Sequence, residues 1–293
     1  MCNSASELQN CSYKHNEMLI DFEIILEIAM LGIRRAAVFL GFGLNAALDP
    51  NFRDYRLAPH TGFSFVPENA SDVDVDEYKR EFATWITANG LREIIESFAI
   101  FLDAIYTTCL KISMAKNILT TEEAEEKNRA FKQLFIQKKL KRLAAEYSIR
   151  CEVESLLQEL SIVRNCLTHR RGIVSHADCN DNAELRLSWK GLDIAVLQPD
   201  GKSLPIPFPV REEVIVEQGG TITATFVERT VAFPEGSVIY LNPKDLAEIA
   251  FSICNEAKQV VTVTIDFARS MGIEIVEKQN NEAQPANNSL GAD

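Results

Sequence analysis

Between Glu17 and Leu48 the apolar residues do not keep to one side of a helix. Phe22, Ile25, Leu26, Ala29, Ile33, Val38 and Leu40 cover more than one face. A helix that is apolar on several sides has to be packed on several sides, so the spacing predicts a long central helix with other helices around it, ended by Asp49-Pro50. Asp21, Glu23, Glu27, Arg34 and Arg35 interrupt the apolar run of Met18 to Leu48, and charges at that density exclude a bilayer span. No membrane partner is expected.

The remaining pattern continues the helical reading. Residues 1–16 are polar and unpatterned, a flexible arm. Residues 50–72 carry Pro50, Pro59, Gly62 and Pro67 and read as a long surface loop, with His60 as a solvated loop histidine. Helical spacing follows over 73–88 and again over 91–117, with Asn89-Gly90 as the break. Thr120-Thr121-Glu122-Glu123 starts a further helix, because hydroxyls cap the first amides and acids suit the positive end of the dipole. That helix turns basic from Lys127 to Arg142, where seven cations and no acid are interleaved with Phe131, Leu134, Phe135, Leu140 and Leu143.

Residues 152–171 show the 3,4-spaced stripe of Val153, Leu156, Leu157, Leu160, Val163 and Leu167, with Gly172 as the stop. The period then drops to two over residues 184–241. Leu185, Leu187 and Trp189 alternate with Arg186, Ser188 and Lys190, and Pro199-Asp200-Gly201 marks a turn to a partner strand. A second hairpin is expected from 213–217 and 221–228 around Gly219-Gly220, and a short strand over 238–241. Asn242-Pro243-Lys244-Asp245 restarts a helix that runs over 242–272, and 277–293 is a polar disordered tail. The fold class expected is mainly α: an antiparallel helical bundle over 17–175, completed by the last helix, with a small antiparallel β-sheet inserted before it.

Composition narrows the function classes. The 293 residues include 42 acids and 30 Lys plus Arg, a formal net charge of −12. Coating of nucleic acid by a basic surface is excluded, so any RNA contact must be local. Seven cysteines at irregular spacing are an odd count and read as reduced thiols of a cytoplasmic protein. His176, Asp178 and Cys179 lie close in sequence, but no second cluster with ligand spacing accompanies them, and neither metal nor cofactor is expected.

The chemistry concentrates in Ser161 to Gly172, where Arg164, Asn165 and His169 form the pattern R-N-x-x-x-H. With four histidines a bare R-x4-H arises by chance in roughly one chain in five of this length, and the form with Asn in roughly one in a hundred. Arg171 and His176 repeat the bare spacing, without the Asn and across Gly172. Histidine titrates near neutrality, so His169 suits a proton transfer to or from a ribose hydroxyl. A forked, permanently charged guanidinium at Arg164 suits the extra negative charge of a phosphorane. Asn165 lies four residues before His169, on the same face, and can orient the ring or contact a phosphate oxygen. Positions five apart are about 140° apart on an α-helix, so Arg164 and His169 do not share a face. A second copy of the helix across a two-fold axis is the simplest remedy.

This stretch resembles the signature of the HEPN superfamily, helical proteins many of which are metal-independent ribonucleases. The resemblance covers roughly 17–175 and the last helix. It implies a homodimer in which two motifs meet in one composite site, cleaving RNA to a 2′,3′-cyclic phosphate and a 5′-hydroxyl, in a toxin or antiviral-defence role with an antitoxin or defence-system partner protein. In this reading His169 is general acid/base, Arg164 stabilises the phosphorane, and Lys132, Lys138, Lys139, Lys141, Arg142, Arg170 and Arg171 form an RNA track. A solvated face that complements nearby acidic helices is the alternative for those cations. Glu93 and Glu96 are candidates to meet Arg164, or else a solvated acidic face. The sequence departs from the family at Arg171, where toxins controlled by AMP transfer often carry a tyrosine. The rival reading is a non-catalytic helical dimer that binds RNA or protein.

Overall fold

In the structure, a computed structural model, residues 19–56, 69–206 and 219–275 are described. The arm, His60, the expected strand 213–217 and the tail lie outside them. The described residues form six α-helices and a three-stranded antiparallel sheet, in the order α1 (Phe22–Leu48), α2 (Asp72–Ala115), α3 (Thr121–Lys132), α4 (Ile136–Tyr147), α5 (Glu154–His169), β1 (Glu184–Leu197), β2 (Ser203–Ile206), β3 (Thr221–Pro234), α6 (Pro243–Ser270).

α1 starts where the Asp21 carboxylate accepts the amides of Glu23 and Ile24, and it packs antiparallel along α2. Three glycines set how close the two helices come. A Cβ on Gly90 would lie 2.5 Å from Leu40 Cδ2, one on Gly43 would lie 2.5 Å from Ile86 Cγ1, and one on Gly32 would fall on the Ser97 side chain. Gly90 is therefore not a break. α2 runs unbroken for 44 residues through Asn89-Gly90, because the missing side chain admits Leu40 while the backbone stays helical. A capping box closes its start, with the Ser71 hydroxyl accepting the Asp74 amide and Asp74 accepting the Ser71 amide. Its apolar length would suit a bilayer, but 56% of its most apolar window is buried against the other helices.

The basic stretch also departs from expectation. The residues from Thr120 onward predict one helix, and the structure has two, α3 and α4, separated at 133–135. The bend lets Phe131 stack on Tyr106, at 3.9 Å between ring centres and nearly parallel, while Leu140 and Leu143 pack into the core from a different direction. Such a ring pair contributes about 0.5–1.5 kcal/mol beyond its burial.

The sheet has the order β2-β1-β3, with Glu184 opposite Pro234 and Ile194 opposite Ile206. Leu185, Leu187 and Trp189 are buried, as their alternation requires, and β1 lies against α5 and α6. Two glutamates fix it there. Glu159 on α5 accepts the Ser188 amide at 2.7 Å, and Glu248 on α6 accepts the Trp189 indole N–H at 3.0 Å. The short strand expected over 238–241 is a single bridge between Val238 and Ile173, because the Asn242 cap and Pro243 begin α6 at once.

The close approach of α1 and α2 gives a paired expectation. Gly32→Ala should cost about 1–3 kcal/mol by overpacking. Gly41→Ala, whose methyl meets nothing within 4 Å, should gain about 0.5–1 kcal/mol by stiffening the unfolded chain. Thermal unfolding followed by circular dichroism reads both; equal shifts in the two variants would mean that the helices are not held at this spacing.

Candidate functional site

α5 occupies Glu154–His169, two residues shorter at each end than its predicted span. Leu156, Leu157, Leu160, Val163 and Leu167 are buried as their spacing requires, and Cys166 joins them, its thiol donating to the Ile173 carbonyl at 3.1 Å. Burial pushes that thiol up, with Asp178 adding to the shift and Arg170 opposing it, so the cysteine inside the motif is kept as a thiol rather than a thiolate. The helix stops where the Arg170 and Gly172 amides both donate to the Cys166 carbonyl. Gly172 has φ +78°, and a Cβ there would sit 3.3 Å from Leu167 Cδ2, so only glycine closes this end without strain.

The three motif residues fall as the helical wheel requires. Asn165 and His169 are exposed, and His169 is the last helical residue. Arg164 is half-buried. Its Nε is shut off from solvent and has no hydrogen-bond partner, and Arg164 makes no ion pair among the described residues. A buried donor left without a partner costs roughly 1–3 kcal/mol. The remaining outward residues of α5, Ser155, Gln158 and Thr168, are polar.

Several expected neighbours are elsewhere. Glu93 and Glu96 do not meet Arg164: the α1–α2 register sets Glu93 against Arg35, with Ser97 at 3.5 Å, and Glu96 lies on an exposed side of α2, 3.9 Å from Arg92 one turn back. The RNA track is also thinner than the sequence predicts. Lys139 is buried on the Ile136–Leu143 face of α4, its ammonium 2.7 Å from Asp103. Arg142 pairs with Glu146 at 2.7 Å and lies over the Tyr106 ring. Arg170 is bound to the buried Asp178. These three cations hold the fold. Lys132, Lys138, Lys141 and Arg171 stay exposed and make no ion pair among the described residues.

Asp178 accepts the Ser175 amide at 2.9 Å and the Ser175 hydroxyl at 2.6 Å besides Arg170. Burial alone would raise its carboxyl, but Ser175 and Arg170 outweigh it and hold it below the usual range. It therefore staples the 176–178 turn to the end of the motif helix. Of the second R-x4-H pair, Arg171 takes a left-handed backbone at φ +53°, and His176 is exposed with Nδ1 3.4 Å from the Glu235 carboxylate.

A cavity of about 500 Å³ opens at the C-terminal end of α5, between Leu44 and Leu48 of α1, Thr84 of α2, Leu167 and Tyr240. Lys79 and Arg80 also line it. Of the motif helix only Leu167 reaches it, so the cavity and the Arg164–His169 surface are separate features. No local pattern announces it, because its walls come from four distant segments.

Comparison of the chain with protein-family models, with curated proteins and with solved structures returns no match. The reading of the site rests on its own residues.

Glu159 ties the motif helix to the sheet and gives a pH test. Burial raises its carboxyl and the Ser188 amide opposes the shift. A raised carboxyl means that the folded state disfavours the ionised form, so stability falls as pH rises from the ordinary carboxylate range through the raised value. Glu159→Gln keeps the acceptor without the charge. It should be more stable than wild type at neutral pH, with the gap closing toward pH ~4 in denaturant titrations. A gap that widens on acidification would reverse the assignment.

Proposed function

We propose that this chain is a metal-independent endoribonuclease of the HEPN type, working as a homodimer in a toxin or defence role. The observation that carries the reading is Arg164, a guanidinium with a buried donor and no partner among the described residues, on the same helix as an exposed histidine. A structural arginine has its carboxylate nearby, as Arg142 and Arg170 do. Among the described residues Arg164 has none, and a phosphodiester oxygen is the kind of acceptor its donors lack.

The chemistry follows from these groups. The ribose 2′-oxygen attacks the adjacent phosphorus as His169 takes its proton, forming a pentacoordinate phosphorane. Arg164 holds the added negative charge through charge-assisted hydrogen bonds. The P–O5′ bond breaks and the departing oxygen is protonated, leaving a 2′,3′-cyclic phosphate and a 5′-hydroxyl. Because Arg164 and His169 point about 140° apart on one helix, the reading joins Arg164 of one protomer with the histidine of a second copy. Lys132, Lys138, Lys141 and Arg171 would hold the RNA backbone.

Cleavage of single-stranded RNA should persist with chelator present and drop by roughly 100-fold or more in Arg164→Ala and in His169→Ala. Unchanged cleavage in either variant removes the proposal. Reversing Lys132, Lys138 and Lys141 to Glu should weaken RNA binding and flatten its salt dependence, by about one unit of slope for each phosphate no longer held.

A second reading, a helical module that binds RNA or protein without turnover, is favoured by the commitment of Lys139, Arg142 and Arg170 to internal pairs, which leaves a small basic area on an acidic chain. RNA binding without cleavage, unaffected by the two alanine variants, would select it.

A further inference from the structure

The corner between α3 and α4 carries a phenylalanine that the packing does not use. Phe135 is 78% exposed, and its ring meets no other aromatic ring and no cation among the described residues. It stands at the N-cap of α4, with an extended backbone at φ −67° and ψ 155°, and no side chain caps the first amides of that helix. Serine, threonine, aspartate or asparagine would suit the helix better there, since each offers those amides an acceptor. Neither burial nor helix capping accounts for a phenylalanine at this position.

Its surroundings are polar and positive. From Leu119 to Gly172 no other large apolar side chain is exposed, so Phe135 is a single ring and not part of an apolar patch. Arg129, Lys132, Lys138 and Lys141, on the adjoining turns of α3 and α4, are exposed and make no ion pair among the described residues. On a chain of net charge −12, cations left without carboxylates around one open ring form the combination that binds a nucleic-acid single strand: the cations take phosphates and the ring takes the face of an unpaired base. One ring is too little apolar area for a stable protein interface, which needs about 800 Å² on each side.

The ring also stands near Arg164. α4 rises along α2, with Lys139 at Asp103 and Glu146 at Tyr106, and α5 comes back down to end with Gly172 beside Thr84. At a rise of about 1.5 Å per residue, Phe135 and Arg164 are about 10 Å apart along α2. They also share a side of the bundle. Glu159 turns to β1, and Arg164 lies about 140° round from it, across the buried stripe, on the flank of α5 next to α4. We infer that Phe135 stacks on an unpaired base of the strand whose phosphate Arg164 holds, so that the site takes single-stranded RNA and discriminates against duplex, whose base faces are already covered. This assignment rests on the RNA reading of the motif helix and adds the residue that selects strandedness.

Binding of a labelled oligoadenylate to the full-length His169→Ala chain, which should not cut it, tests the stacking apart from the chemistry. Adding Phe135→Ser should weaken binding roughly 5- to 100-fold with the salt slope unchanged, because a stacked base is lost and every phosphate is kept. The same change should raise the melting temperature, since serine caps α4. Phe135→Trp should keep the affinity and show a fluorescence quench on binding that the phenylalanine protein lacks. An abasic ribose oligomer of equal charge should bind the phenylalanine and serine proteins alike. Equal affinity of those two proteins for oligoadenylate overturns the inference, and so does an equal fall for the abasic oligomer. A melting temperature that falls with the affinity gives the ring to the fold, and a change in self-association with RNA affinity unaltered gives it to a protein contact; either overturns the stacking. Wild-type cleavage indifferent to Phe135 keeps the nuclease reading and removes this residue, whereas stacking without wild-type cleavage keeps this residue and removes the nuclease.

Discussion

The rest of the structure depends on how closely α1 and α2 approach. Glycine at 32, 43 and 90 lets Ser97, Ile86 and Leu40 fill the space where side chains would otherwise stand. α2 runs unbroken through Asn89-Gly90 beside that contact, and α3, α4, α5 and α6 all pack against it. α5 packs on α2, α6 packs on α1 and α2, and β1 lies against α5 and α6. The buried stripes of α1 and α2 thus meet each other, α5 and α6, while the side of the hairpin that carries Arg35 and Glu93 stays exposed.

The same packing decides which polar groups are available for chemistry. α5 must bury Leu156, Leu160, Val163 and Leu167 against α2 and β1, which turns Asn165 and His169 outward and leaves Arg164 at the boundary. Near it, Asp178 holds Arg170 and the Ser175 turn, and Glu159 holds the backbone of β1. Carboxylates are thus matched to Arg170 and to a backbone amide, and Arg164 is passed over. Charge pairing elsewhere takes Lys139 to Asp103 and Arg142 to Glu146, so a stretch of seven cations becomes in part a set of buried and half-buried pairs. Desolvating a lysine requires an opposite charge nearby, and Asp103 on α2 supplies it across 36 residues of sequence.

Much of this was legible in the residues alone. Hydrophobic periodicity is local, so the helices, the alternation of Leu185, Leu187 and Trp189, and the sides on which Asn165 and His169 stand could be read without a fold. The caps at Asn242 and Thr120 and the turn at 199–201 were equally plain, because a cap or turn is satisfied by its near neighbours. The extra helix boundary between α3 and α4 was not, since it serves Phe131 against Tyr106, a contact between distant segments.

What the sequence determined by itself was therefore element type, the polar and apolar sides of each helix, and the R-N-x-x-x-H spacing. Tertiary structure alone decided that Gly90 is a close approach rather than a stop, that Glu93 belongs to Arg35, that Lys139, Arg142 and Arg170 are structural, and that α1 keeps a second apolar side uncovered by the described chain. The reason is range. Propensity, capping and periodicity act within a turn or two of the chain, whereas ion pairing and close packing depend on which segments meet, and a glycine or a lysine reads the same in sequence whichever partner it finds.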